Sequence, residues 1–360
     1  MLSNESPSAF RKLLLNKGAG IGILIIFIAL LIAILAYWLA PDPTPDANRM
    51  MVEIGGRKPG FSQKFFLLPK QPAVPEVNWF DRTISGQPDS HLYIPVSSWE
   101  IKGDTLILQK FIDEGISESV SYALSALPEK AQENFTTITF FLGTDKYGRD
   151  ILSRLLLGVR VSLLVGGIAM LLSLSIGLIL GALAGYYGGR WDNTIMWFIN
   201  VIWSIPTLLL VFAITLLLGK GFWQVFIAVG LTMWVNVARI VRGQLLAIRN
   251  LEYVEAARAL GYGDLRIIVK HILPNILGPV LVVAAANFAS AIVVEAGLSF
   301  LGVGVQPPQP SWGGMIKENY NFIITNNPML ALAPGFAIMF LVLAFNLLGN
   351  GIRDALDVRS

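Results

Sequence analysis

The chain has 360 residues, of which 54% are hydrophobic and 14% charged, with 27 basic against 24 acidic side chains, two histidines and no cysteine. Soluble domains carry about 25% charged residues, so this composition excludes an ordinary water-soluble domain and directs attention to runs of about 20 apolar residues, long enough to cross about 30 Å of hydrocarbon. A formal net charge of +3 spread over connecting segments gives no basis for nucleic-acid binding, and the lack of cysteine excludes disulfide and thiol chemistry.

Six runs qualify: 18–40, 161–187, 195–218, 222–238, 277–294 and 330–349. They predict an all-α integral membrane protein with six transmembrane helices. The first run follows Arg11, Lys12 and Lys17 in the segment 1–17. It exceeds the roughly 7–15 apolar residues of a secretory signal and ends in Tyr37 and Trp38, so it reads as a retained anchor, the first transmembrane helix. Segment 41–141 is polar and Pro-rich. β-favouring residues flank Lys102-Gly103-Asp104, which predicts a small α/β insert containing a hairpin.

In segment 142–160, Ile151 and Leu155 alternate with Asp150, Arg154 and Arg160 at helical spacing. That pattern predicts a helix lying along the outer interface, and it is met equally by a solvated lead-in to the next span. Within the third run, Pro206 predicts a kink, either purely structural or freeing backbone carbonyls for a polar pathway. The last five runs, with short connections, predict one packed bundle over 161–349, with the first helix peripheral to it.

Orientation follows from Lys and Arg. A cytoplasmic N-terminus gathers Arg11, Lys12, Lys17, Arg190, Arg239, Arg242, Arg249, Arg258, Arg266, Lys270, Arg353 and Arg359 on the inner side, leaving Lys220 and Lys317 in the short outer loops. Both termini, including the tail 350–360, are then cytoplasmic and the insert is extracytoplasmic.

Asn200, Asn236, Asn287, Glu295 and Asn346 fall inside the runs. Polar groups are costly in hydrocarbon and are expected to face the bundle interior, another subunit or water. Glu295, near the outer end of the fifth run, reads either as a carboxylate tied to the adjoining loop or as a pathway or gate residue. Asn287 reads either as an interhelical hydrogen-bond partner or as part of the pathway. The Pro-rich stretch 303–315 is a stiff outer loop in which Trp312 suits an interface or a partner.

The connection 239–275 concentrates charge. In "EYVEAARALG", Tyr253, Ala256, Ala257 and Leu260 recur at helical spacing, Glu252 and Glu255 sit in the first turn where the helix dipole favours carboxylates, and Gly261 ends the helix. Paired alanines give it a small-residue face. A second helix restarts at Asp264 as N-cap, and Pro274 separates it from the fifth span. From pattern alone this is either a partner-docking helix pair or a self-solvating loop.

"EAARALG", followed after nine residues by "HILP", resembles the EAA-loop signature of permease subunits of binding-protein-dependent ABC importers, with His271 at a usually apolar position. "LGTDKYGRDILSRLLLGVRVSLLVG", "EAGLSFLGVGVQPPQPSWGGMI" and "LAPGFAIMFLVLAFNLLGNGIRDALDVR" are similar to the dipeptide/oligopeptide/nickel branch, second, six-span permease type. The match runs from Leu142 to the C-terminus and includes the first span. It fails over the insert, which is longer than expected, and at Asn350, where an acidic residue is more usual.

The resemblance implies a five-helix ABC importer core plus the peripheral first helix, in a bacterial or archaeal cytoplasmic (inner) membrane. It implies that 239–275 is a coupling loop in which Tyr253, Glu255, Ala256, Ala257, Arg258, Leu260, Gly261, Leu273 and Pro274 engage an ATPase. It further implies a second related permease, two P-loop ATPase subunits that carry ATP-Mg, and an extracytoplasmic binding protein. Pro206, Asn287, Glu295 and Trp312 are the pathway or outer-gate candidates. This chain has no phosphate loop, no HExxH and no GxSxG and is expected to bind no cofactor or metal, so energy would come from another chain. Peptides are the first substrate class, with nickel chelates, oligosaccharides and opine-like compounds open. The alternative is a membrane-embedded enzyme or assembly factor using Glu295, Asp145, Asp150 and His271. The topology above argues against it by putting His271 on the opposite side from the carboxylates.

Overall fold

The computed structural model describes residues 9–127, 134–324 and 327–356. The chain divides into two compact units. One comprises the chain up to Leu30, Ser162–Gln306 and the chain from Ile338; the other comprises Leu31–Val161 and Pro307–Ala337. Helices α1 (Ala9–Leu15) and α2 (Lys17–Leu39) precede five strands, β1 (Phe61–Pro69), β2 (His91–Lys102), β3 (Thr105–Asp113), β4 (Ile116–Ala123) and β5 (Phe135–Phe140), with α3 (Trp79–Ser85) between β1 and β2.

The strands form one antiparallel sheet in the order β4-β3-β2-β1-β5. The hairpin expected at Lys102-Gly103-Asp104 is present. Lys102 pairs with Thr105, and Gly103 takes φ +59°, which a tight two-residue turn demands. Successive side chains face opposite sides of a strand, so Phe66 packs with Ile94, Val96, Leu106 and Leu108, while Phe65 packs with Phe140, Met51 and Ile54 on the other face.

Residues 142–150 do not form the interfacial helix expected over 142–160. They make a buried turn, and α4 begins only at Ile151, running unbroken to Tyr187. The Asp150 carboxylate accepts the Ser153 amide at 2.8 Å, which makes it the N-cap of α4. Asp145 accepts the amides of Tyr147 and Arg149 and the Arg149 Nε at 2.9, 3.0 and 2.6 Å, and Arg149 Nη2 reaches Glu318 at 2.6 Å. Asp150 and Arg154, two of the charges that alternate with apolar residues, are likewise buried and do not face water. Burial lifts the Asp150 carboxyl above the usual carboxylate range.

The other unit is helical. After α4 come α5 (Gly189–Trp203), α6 (Thr207–Leu218), α7 (Phe222–Ile248), α8 (Glu252–Ala259), α9 (Asp264–Ile267) and α10 (Leu273–Leu301); α11 (Trp312–Asn319) and α12 (Met329–Leu356) complete the chain. Among the described residues, five helical stretches are long and apolar enough to cross a membrane: α2, α4, α7, α9 continued through α10, and α12. α5 and α6 qualify only as a pair and meet at 92°. The kink expected at Pro206 is therefore a full break. Pro274 does not separate the loop from the fifth span. A π-turn over Ile268–Ile272 absorbs the missing N–H, so the helix continues from Asp264 to Leu301.

Without a hydrophobic driving force between helices in lipid, contact area decides packing, and small residues permit it. On α4, Gly177, Gly181 and Gly185 recur every four residues and lie on α7. A methyl added at Gly181 would stand 2.6 Å from the Ala238 carbonyl oxygen and 2.8 Å from Val241 Cβ, and one at Gly185 would stand 2.6 Å from Leu245 Cβ. Asn287 on α10 ties the same region together by donating to Ser173 Oγ of α4 and the Met233 carbonyl of α7, both at 3.3 Å. α2 packs on α12 in the same manner at Gly22 and Gly351, and the Asn16 amide donates to Asp354 at 3.0 Å.

Gly181→Val should force α4 and α7 apart and cost about 1–3 kcal/mol, lowering the thermal midpoint of the purified protein in detergent. Gly243→Ala, where an added methyl inside α7 meets nothing within 4 Å, should not lower it; equal midpoints for the two variants would refute this packing.

Candidate functional site

Helix α8 has eight residues, whereas isolated helices shorter than about 12–15 residues are marginal in water. It persists because it is docked. Val254 and Ala257 occupy one face, are buried, and join Tyr186 of α4, Leu245 of α7, Ile267 of α9, Ile272 of the π-turn and Ile276 of α10 in one apolar cluster. Its C-terminus closes in a Schellman arrangement, in which the Tyr262 amide donates to the Ala257 carbonyl at 3.2 Å and the Gly261 amide to Arg258 at 2.9 Å, with Gly261 at φ +77°.

Three polar ties fix the loop to the helix ends. The Tyr186 hydroxyl donates to the Asp264 carboxylate at 2.7 Å. Arg249 donates to the carbonyls of Gly185 and Tyr186 at 3.1 and 3.4 Å, satisfying acceptors at the end of α4. The Asn275 amide donates to the His271 carbonyl at 2.7 Å and to the Tyr253 hydroxyl at 3.2 Å. Asp264 was expected to cap a helix; the cap position belongs to Gly263, and the Asp264 carboxylate serves Tyr186 instead. His271 stacks on Tyr262 at 5.7 Å between ring centres.

The loop residues picked from sequence divide into two sets. Ala257 is buried and Leu273 packs against the cluster, whereas Tyr253, Glu255, Ala256, Arg258, Leu260, Gly261 and Pro274 are exposed. The two alanines do not form one face, because neighbours on a helix point about 100° apart. The outer surface carries Leu260 and Leu265, 74% and 76% exposed, beside Glu255, Arg258 and Arg266. Large apolar side chains bared among charges mark a contact surface.

Of the transmembrane candidates, Glu295 is fully buried in α10, where its carboxylate accepts the Ser299 hydroxyl at 2.6 Å, and Ser299 in turn accepts the Val305 amide at 3.1 Å. It fastens the end of α10 to the turn that follows. Asn287 is buried between three helices, as described. Trp312, in the other unit, is buried and donates from its indole to the Leu155 carbonyl at 3.0 Å. Pro206 stands exposed at the α5/α6 break, next to a cavity of about 190 Å³ lined by Trp203, Thr207, Thr232, Asn236 and Ser290. Trp203, which also lines this cavity, lies against the guanidinium of Arg239, a contact that spacing along the chain does not reveal. No group of three or more His, Cys, Asp or Glu able to hold a metal occurs among the described residues.

A family model described as "Binding-protein-dependent transport system inner membrane component" matches residues 177–360, and one described as "N-terminal TM domain of oligopeptide transport permease C" matches residues 7–54. The glutathione transport system permease protein GsiD of Pectobacterium atrosepticum is 43% identical over 217 residues, covering 60% of this chain and 72% of that protein. The dipeptide transport system permease protein DppC of Bacillus subtilis is 43% identical over 60% of this chain and 68% of its own. The oligopeptide transport system permease protein OppC of Haemophilus influenzae is 42% identical over 60% and 70%.

Tyr186→Phe removes the hydroxyl that holds Asp264, a hydrogen bond to a charged group worth about 1.5 kcal/mol or more. Amide hydrogen exchange at Val254, Gly261 and Tyr262 should then quicken by about tenfold. Unchanged exchange would mean that the apolar cluster alone holds the loop.

Proposed function

This chain belongs to the family of binding-protein-dependent transport system inner membrane components, and from that premise we propose that it is the permease subunit of an ATP-driven peptide importer in which the connection receiving the work of ATP hydrolysis is the part of 239–275 after Ile248, since 239–248 continue α7. It is a transport protein of the inner membrane, not an enzyme. The observation that carries the coupling role is α8 itself: a helix anchored through Val254, Ala257 and Asp264 to the ends of α4, α7 and α10, with Tyr253, Glu255, Ala256, Arg258 and Leu260 left outward. A helix fixed on its inner side and bare on its outer side transmits a push to the spans behind it.

In this reading the six apolar runs are six spans, the bent α5/α6 pair being one of them. Both termini and the loop are cytoplasmic, where the basic residues concentrate, and the sheet is an extracytoplasmic insert. Two P-loop ATPases hold ATP-Mg and seat α8, a second related permease completes the pathway, and a binding protein delivers substrate. Peptides are favoured because relatives are named for dipeptide, oligopeptide and glutathione transport. An enzyme or assembly factor built on Asp145, Asp150, Glu295 and His271 is not favoured, since Asp145 and Asp150 serve as turn and cap acceptors and Glu295 serves Ser299.

Gly261→Pro fixes φ near −65° where +77° is needed and deletes the amide that donates to Arg258. Ala257→Trp overfills the buried contact. In proteoliposomes holding the assembled transporter, each variant should lower uptake by about tenfold or more while ATP hydrolysis continues. Uptake at the unmodified level would contradict the assignment.

A further inference from the structure

Arg239 lies nine residues before the end of α7 at Ile248, about 14 Å along the helix from the loop at 1.5 Å per residue. A cation at that depth is costly unless it faces a partner or water. The basic residues near it are satisfied. Arg242 forms a two-pronged pair with Asp192, 2.7 Å for the longer contact, and Arg249 donates to the end of α4. Arg239 has no carboxylate within ion-pair distance among the described residues, and its Nε is buried without a hydrogen-bond partner. Its guanidinium instead lies 3.4 Å from the centre of the Trp203 ring. Trp203 is the last residue of α5 and is 58% exposed.

Polar side chains interrupt the apolar surface here. Asn193, Trp197 and Asn200 on α5 and Ser204 at its C-terminal cap recur at helical spacing and are exposed, as is Asn236 one turn before Arg239 on α7. Amide side chains on the outside of spanning helices are tolerated where they line water. The cavity beside Trp203 holds Thr207, Thr232, Asn236 and Ser290. Thr207 opens α6, whose first amides have no intrahelical acceptor and carry the positive end of the helix dipole. The start of α6 and Trp203, the ring on which the unneutralised Arg239 guanidinium lies, both line this cavity, and a helix start beside a free cation at a broken span is an arrangement suited to an anion.

We infer that Arg239, held flat against Trp203 beside the α5/α6 break, is a specificity-determining residue that receives the C-terminal carboxylate of a peptide during its passage. This rests on the peptide-importer reading. Stacking on an indole fixes the planar guanidinium, which leaves its donor edge free for a two-pronged contact with a carboxylate. A lipid phosphate shares that chemistry, but it would bind without regard to the transported peptide.

The test uses proteoliposomes with the complete transporter and a matched pair of probes, tri-alanine and tri-alanine amide. The binding protein is common to every arm, so a change in the acid-to-amide uptake ratio between variants reports the permease. The unmodified transporter should favour the acid by about tenfold, Arg239→Gln should bring the ratio to about one, and Arg239→Lys should fall between. Measurable uptake by Arg239→Gln with an unchanged ratio would overturn the carboxylate contact and leave the peptide reading intact, with a lipid or subunit contact as the role of Arg239. Loss of both probes in Arg239→Gln, unrelieved by Arg239→Lys, would also overturn it by marking a structural residue. Absence of uptake of either probe by the unmodified transporter would instead overturn the peptide reading on which the inference rests.

Discussion

The burial of Val254 and Ala257 beneath the ends of α4, α7 and α10 is the contact on which the rest depends. Two small inward side chains provide little area, so the helix is held as much by its terminal geometry. Gly261 supplies the left-handed turn, Asp264 accepts from Tyr186, and Arg249 closes the end of α4. The Asp264 and Arg249 ties both reach the end of α4, while Val254 and Ala257 share an apolar cluster with residues of α4, α7 and α10. Displacement of α8 is therefore felt by several helices together, which a loosely solvated loop could not achieve.

Behind the loop, the helices meet the hydrocarbon constraint in two ways. Where they pack, glycines on α4 bring it against α7 so closely that a single methyl would collide. Where they do not, apolar side chains such as Ile179, Phe198 and Leu209 are bared, as a lipid-facing surface demands, and Asn200, Asn236 and the break at Pro206 interrupt them.

The apolar runs were legible because a span must be about 20 residues of low polarity whatever its neighbours. So was α8, bracketed by Glu252 and Gly261, and the hairpin at Gly103, since a positive φ is a local demand. What depends on distant partners was not legible. Asp150, Arg154 and Arg160 read as a water-facing stripe, but Asp150 and Arg154 are buried by distant segments, Arg154 beside the Pro308 carbonyl 154 residues away. Pro274 read as a terminator because a π-turn is set by packing. Glu295 and Asn287 each read two ways, as hydrogen-bonded structural groups or as pathway candidates, and each makes a buried hydrogen bond, to Ser299 and to Ser173. The glycine repeat at 177, 181 and 185 was readable at its four-residue spacing.

The chain's lack of cysteine permits a direct measurement of what α8 touches. A photoactivatable maleimide placed on Leu260→Cys, at the exposed tip of the loop, is irradiated in membranes containing the full transporter, and the adduct is identified by mass spectrometry. The account predicts cross-linking to a P-loop ATPase subunit. Adducts to lipid alone, or to an extracytoplasmic binding protein, would contradict it.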